Sequence, residues 1–161
     1  MTNSDATPID IEGMGRVCLA LAARRTANLV TRHFNSYLAP LGLEVTQAVL
    51  LGLIASGKAE SSSALARLVG IERSTLTRNL KPLEDAGLLR RRAEGRRMVP
   101  ELTSLGHERL KQAYAAWQEG QDALTAQLDA PDAEAVRAHL KALRRAVHAA
   151  EDAASPENMT A

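Results

Sequence analysis

Between Ser61 and Leu102 the apolar residues change spacing twice, and glycine interrupts the chain at positions 70, 87 and 95. That punctuation permits few folds. Leu65, Leu68 and Val69 follow at helical intervals after Ser61-Ser62-Ser63, a run of good N-caps, and Gly70 closes the segment. Ile71, Leu76, Leu80 and Leu83 mark a second apolar stripe over about Glu72 to Ala86, with Gly87 as its stop. Two short helices joined by a glycine turn, the second exposing Ser, Thr and Arg, predict a helix-turn-helix. Leu88–Arg92 and Arg97–Leu102 then flank Ala93-Glu94-Gly95-Arg96, with glycine where a hairpin tip needs it. Pro100 confines its strand to a sheet edge. The segment reads as a short β-hairpin with an Arg-rich tip, attached directly to the helix-turn-helix as a wing.

The flanks are helical. The chain has 29 Ala and 23 Leu against 12 Val and Ile together, and 2% aromatics, which favours helices over a sandwich or barrel. A first helix is predicted from Gly13 to Ala39, ahead of Pro40, with Val30, Phe34, Leu38 and Leu41 on one stripe. Thr46 is the expected N-cap of a second helix carrying Val49, Leu50, Leu53 and Ile54 and ending at Gly57. After the hairpin, Thr103 caps a long helix with Leu110, Tyr114, Trp117, Gln121, Leu124 and Leu128 on one seam, expected to break at Pro131. A last helix carries Val136, Leu140, Leu143 and Val147. Both seams want a partner helix. The fold class is therefore mostly α, a winged helix-turn-helix over 46–102 between helical regions at 13–45 and 103–152, with a loose tail at 1–12 and a frayed one at 153–161.

The net charge of +1 hides an asymmetry. Residues 61–97 are net +5, residues 1–60 neutral and residues 98–161 net −4, and eight of the nine cations in the middle segment are Arg. A basic centre on an otherwise neutral body is the footprint of a nucleic-acid surface. A helical adaptor that binds protein would spread its cations evenly. The sequence contains no phosphate loop, nucleophile elbow or HExxH, so it reads as no enzyme. No cofactor is expected, and His33, His107, His139 and His148 are too scattered for a metal site within one helix. The polar, acidic stretch Met1 to Asp10 is unlike a signal peptide, no apolar stretch is long enough for a membrane span, and the single Cys18 cannot form an internal disulfide; a cytosolic location is expected.

The stretches "LAPLGLEVTQAVLLGLI", "STLTRNLKPLEDAGLLRR" and "EGRRMVPELTSLG", in that order, resemble the MarR family of bacterial winged-helix regulators over about Met14 to Glu151. The last follows the family's wing pattern of an acidic residue, any residue, Arg, then Leu-Thr and Gly. Two features depart from it. The acidic wing residue is Glu94 where Asp is usual, in a hairpin shorter than typical, and Pro82 lies inside the recognition helix. The resemblance implies a homodimer built from the terminal helices and a pseudo-palindromic double-stranded DNA operator. Arg73, Ser74, Thr75, Thr77, Arg78 and Lys81 would face the major groove. Arg78 would make a forked guanine contact, worth ~1–3 kcal/mol of discrimination. Arg96 would enter a minor groove, held by Glu94, while Arg91 and Arg97 would meet the backbone. Because Arg90, Arg91 and Arg92 alternate faces, at most two can meet phosphates together.

The family's regulators respond to small aromatic or carboxylate effectors, to oxidants or to metals. By resemblance, Arg32, His33, Phe34 and Tyr37, with Trp117 and Tyr114 more remote, are the expected pocket residues. Cys18, in "VCLALA", resembles the reactive cysteine of the family's hydroperoxide-sensing branch, with Tyr37 as one hydroxyl beside it; as a small buried hydrophobe at the dimer seam it would be inert. The resemblance implies repression as the default.

Overall fold

The computed structural model describes residues 10–57, 61–95, 97–128 and 130–154. Among them are seven α-helices, a short 3-10 helix at Ala39–Leu41 and one hairpin: α1 (Ile11–Val17), α2 (Leu19–Leu38), α3 (Val45–Ala55), α4 (Ser62–Val69), α5 (Arg73–Asp85), β1 (Leu89–Glu94), β2 (Arg97–Leu102), α6 (Ser104–Thr125) and α7 (Ala130–Ala153). The chain divides into two compact units, residues 1–117 and 118–161, with α6 running through the boundary. The second unit consists of the end of α6 and α7, and Val136, Leu140 and Val147 of α7 are exposed.

The core of the first unit is almost entirely leucine. Leu38, Leu43, Leu50, Leu51, Leu65, Leu76, Leu80, Leu83, Leu88, Leu89 and Leu102 pack with Ile54, Ala66 and Ala113. Ser61 caps α4 by accepting the Ala64 N–H at 3.1 Å, and Gly70 ends it in the left-handed region at φ 76°. On α4 the buried pair is Leu65 and Ala66; Leu68, expected inward, is 55% exposed. Leu76, Leu80 and Leu83 anchor α5 as their spacing predicts.

Three boundaries differ from the sequence expectation. The first helix is broken at Cys18, which is extended (φ −71°, ψ 104°) and caps α2, its Sγ accepting the Leu21 N–H at 3.4 Å. Gly13 and Gly15 weaken the helix ahead of it, so a short α1 forms, capped by Asp10. The cap of α3 is Glu44, not Thr46: Glu44 and Gln47 form a reciprocal capping box, and the Val45 N–H donates to Asn35 Oδ1 at 2.8 Å. Finally, α6 ends at Thr125, and Pro131 sits in the first turn of α7, where its missing N–H costs little.

The start of α6 is latched to the base of the wing. Thr103 Oγ1 accepts the Gly106 N–H at 3.0 Å and donates to the Gly87 carbonyl at 2.7 Å, while the Thr103 N–H donates to the Leu88 carbonyl at 3.0 Å. Gly106 is buried against that strand; a Cβ there would lie 2.0 Å from Leu88 O. The Arg109 guanidinium of α6 donates to the Leu41 carbonyl, closing the other side.

Candidate nucleic-acid interface

Burial of Leu76, Leu80 and Leu83 fixes which face of α5 meets solvent. Ser74, Arg78 and Lys81 share one exposed ridge, spaced four and three, and Arg73 and Thr77 the next. Thr75 is half-buried, so the face expected from sequence is present except at that position. Thr77 Oγ1 donates to the Arg73 carbonyl at 3.0 Å and Asn79 Nδ2 to the Thr75 carbonyl at 2.8 Å, so both polar groups are used within the helix. Lys81 Nζ is paired with Asp85 at 3.0 Å. Among the described residues Arg73 and Arg78 have no ion pair, which leaves two open guanidiniums on the helix.

The hairpin pairs Leu89 with Leu102 through Glu94 with Arg97, and Gly95, just past β1, is at φ 60°. Strand alternation divides its three arginines as expected, but each has an acidic partner. Arg90 Nη2 lies 2.9 Å from Glu101, its cross-strand neighbour. Arg92 lies 3.4 Å from Glu94 and 3.8 Å from Glu101. Arg91 takes the opposite side, its Nε 2.5 Å from Glu84 Oε1 on the last turn of α5. That oxygen is buried and makes no aligned hydrogen bond, so the contact is Coulombic and ties the wing to α5. Arg91, expected at the DNA backbone, thus has a structural partner. Glu94, expected beneath Arg96, has Arg92 as its described partner; Arg96 lies outside the described residues. Arg97 opens β2, its backbone paired with Glu94.

The expected pocket residues do not share one site. His33 packs edge-on against Phe34 and at a tilt against Tyr37, at centroid distances of 5.3 and 5.2 Å, with Phe34 buried in the fold. Arg32 lies on a separate surface groove with Arg25 and Leu29. Trp117, with its neighbour Tyr114, lines an apolar cavity of about 200 Å3, open to solvent, between α3 and α6. Val45, Ala48, Val49 and Gly52 form one wall and Leu110, Ala113, Tyr114 and Trp117 the other. Cys18 is half-buried at the α1–α2 break. Tyr37 is 19 residues along α2 from it, a rise of about 28 Å, so the two do not meet within a chain. Among the described residues no group of three or more His, Cys, Asp or Glu could hold a metal ion, and no single helix is long and apolar enough to cross a membrane.

A helix-turn-helix with an exposed basic second helix, followed directly by a two-stranded wing, defines the winged helix-turn-helix class of transcriptional regulators. A helix-turn-helix domain family model matches residues 43–92. The HTH-type transcriptional repressor Rv2887 of Mycobacterium tuberculosis is 30% identical over 110 residues, 66% of this chain and 79% of the relative. The Mycobacterium tuberculosis regulator MosR, solved in complex with DNA, superposes with a TM-score of 0.70 at 34% identity, covering 83% of this chain and 98% of MosR. Rv2887, a MarR family protein solved with salicylic acid, superposes at 0.61 and 27% identity, covering 86% and 98%. The chain belongs to the MarR family of winged helix-turn-helix transcriptional regulators.

Proposed function

We propose that the chain is a homodimeric, sequence-specific double-stranded DNA-binding repressor, released from its operator by a small aromatic effector. The observation that carries the DNA reading is the exposed ridge of Ser74, Arg78 and Lys81 beside Arg73, on a helix held rigid by three buried leucines. Arg78 reads guanine, the Ser74 hydroxyl meets phosphate or bridging water, and Arg96 and Arg97, by their place in the sequence, meet the minor groove and backbone. MosR, solved with DNA, supports this placement by likeness. Exposed apolar residues on α1 and α2 (Ile11, Met14, Val17, Leu19) and on α7 (Val136, Leu140, Val147) are the surface a second copy would cover. A two-fold dimer then reads a pseudo-palindrome.

The effector reading rests on the cavity between α3 and α6. Its volume of about 200 Å3 is of the order that holds a single aromatic ring, and its walls are apolar apart from the Tyr114 and Trp117 ring edges. Rv2887 has been solved with salicylic acid. A ring seated here bears on α6, whose first turn is latched to the base of the wing through Thr103 and Gly106. Binding would therefore favour one wing placement over another.

One assay tests these statements. Duplexes are selected from a random library by the wild-type protein, and binding is followed by fluorescence anisotropy at several salt concentrations. Wild type is expected to bind with a steep salt dependence, and Arg78→Ala to lose roughly tenfold or more in operator affinity. Absence of duplex binding would move the reading to a protein-binding adaptor. In the same assay an organic hydroperoxide distinguishes a thiol switch. Oxidation of Cys18 to the sulfenic acid, with the peroxide reduced to its alcohol, would release wild type but not Cys18→Ser.

A further inference from the structure

The three arginines of β1 are all paired with carboxylates, and one of these, Glu101, reaches two of them. Glu101 on β2 is in contact with two guanidiniums of β1, Arg90 at 2.9 Å and Arg92 at 3.8 Å, one through each carboxylate oxygen. Arg90 closes on Glu101 through both Nε and Nη2, the contact its fork would otherwise make with a phosphate, while Arg92 lies nearer Glu94, at 3.4 Å. The Arg90 and Arg92 side chains are 66% and 49% exposed, so neither is locked by packing. Arg92 and Glu101 both stand on the wall of an open hollow of about 600 Å3, which leaves the guanidinium room to swing away without displacing packed atoms.

We propose that Glu101 is a specificity-determining residue: an internal phosphate mimic that competes with DNA for Arg90 and, alongside Glu94, for Arg92. This rests on the DNA-binding reading above. A backbone phosphate taken by Arg90 must first displace Glu101, and one taken by Arg92 must displace Glu94 as well. Non-specific binding consists almost wholly of such phosphate contacts, so it is weakened most. Operator binding also draws on base contacts from α5, where Arg73 and Arg78 are independent of Glu101, so it is weakened less. The carboxylate therefore widens the gap between operator and bulk DNA. Arg91 lies outside this competition, because Glu84 holds it on the other side of the hairpin.

The test compares wild type, Glu101→Gln and Glu134→Gln, the last making the same charge change on α7. Each is titrated against the library-selected operator and against a random-sequence duplex of about three helical turns. Glu101→Gln is expected to tighten random-duplex binding by up to about fivefold, chiefly through Arg90, because Glu94 still pairs Arg92. It should also steepen the slope of log K against log salt by about one unit. Operator affinity should rise by less, so the specificity ratio falls, while Glu134→Gln stays close to wild type. A double-mutant cycle adds a readout that folding defects do not mimic: Arg90→Gln should change random-duplex affinity little alone and clearly in the Glu101→Gln background. Equal slopes and equal ratios for wild type and Glu101→Gln would overturn the inference. So would Glu134→Gln matching Glu101→Gln, which would reduce the effect to net charge. If wild type itself fails to bind duplex DNA, the DNA reading fails and takes this inference with it.

Discussion

Replacing Gly106 by alanine should destabilise the protein, although alanine is the better helix former. In an unconstrained helix interior the change is favourable by about 1 kcal/mol. Here the new Cβ would fall 2.0 Å from Leu88 O, 3.0 Å from Leu88 C and 3.3 Å from Leu102 Cγ. The nearest obstacle is backbone at the base of β1, which cannot rotate aside as a side chain would. Parting α6 from the strand by more than an ångström costs about 1–3 kcal/mol as overpacking. It also strains the Thr103 bonds to the Gly87 and Leu88 carbonyls, each worth about 1 kcal/mol. The net loss is about 2–3 kcal/mol, which lowers Tm by about 5–10 °C in a chain of this size. Gly52 of α3 is the control, since a Cβ there meets nothing within 4 Å. Gly52→Ala should gain about 0.5–1 kcal/mol. Urea and thermal unfolding of both variants, at one protein concentration because association contributes to stability, read the opposed signs. A Gly106→Ala protein as stable as wild type would refute the close approach of α6 to the wing base.

Two further outcomes follow from the same region. Thr103→Val keeps the side-chain shape but removes the cap on Gly106 and the bond to Gly87, and should cost about 2 kcal/mol by urea unfolding; an unchanged midpoint would mean that water replaces both bonds. Trp117 is the only tryptophan and lines the cavity between α3 and α6, so salicylate should change its fluorescence in a saturable way. Gly52→Leu, which fills that cavity from α3, should abolish the change, and an undiminished response would place the ligand elsewhere.

Much of the fold was legible because its boundaries are written in residues with strong local preferences. Ser61 caps α4, and Gly70 and Gly87 end α4 and α5 at φ 76° and 69°. The boundaries that differ use weaker signals. A thiol is a poor and uncommon cap, so Cys18 gave no sign of starting a helix; only Gly13 and Gly15 hinted that the preceding turns were weak. The Glu44–Gln47 box replaces the usual Ser or Thr with a longer acid. Pro131 is ambiguous in sequence, since proline both stops one helix and suits the first turn of the next.

The site was legible in its charges and not in their pairing. Clustering of arginine over residues 61–97 located the basic face, and helical spacing put Arg73 and Arg78 on it. Which arginines are committed to carboxylates depends on strand register and on where α5 ends, so Arg91–Glu84 and Arg90–Glu101 emerge only with the hairpin in place. The cavity was obscured for a different reason. A search for a pocket by aromatic residues finds Trp117 and Tyr114, but it also gathers His33, Phe34 and Tyr37, which pack on one another. The void itself is made by small residues, Ala48 and Gly52 on α3 and Ala113 on α6. Small residues facing a helix normally allow close approach. Here α3 and α6 leave a gap that Ala48 and Gly52 are too short to fill, and Tyr114 and Trp117 line its other wall. A cavity of this kind is a mismatch between two helix faces, and neither face shows it alone.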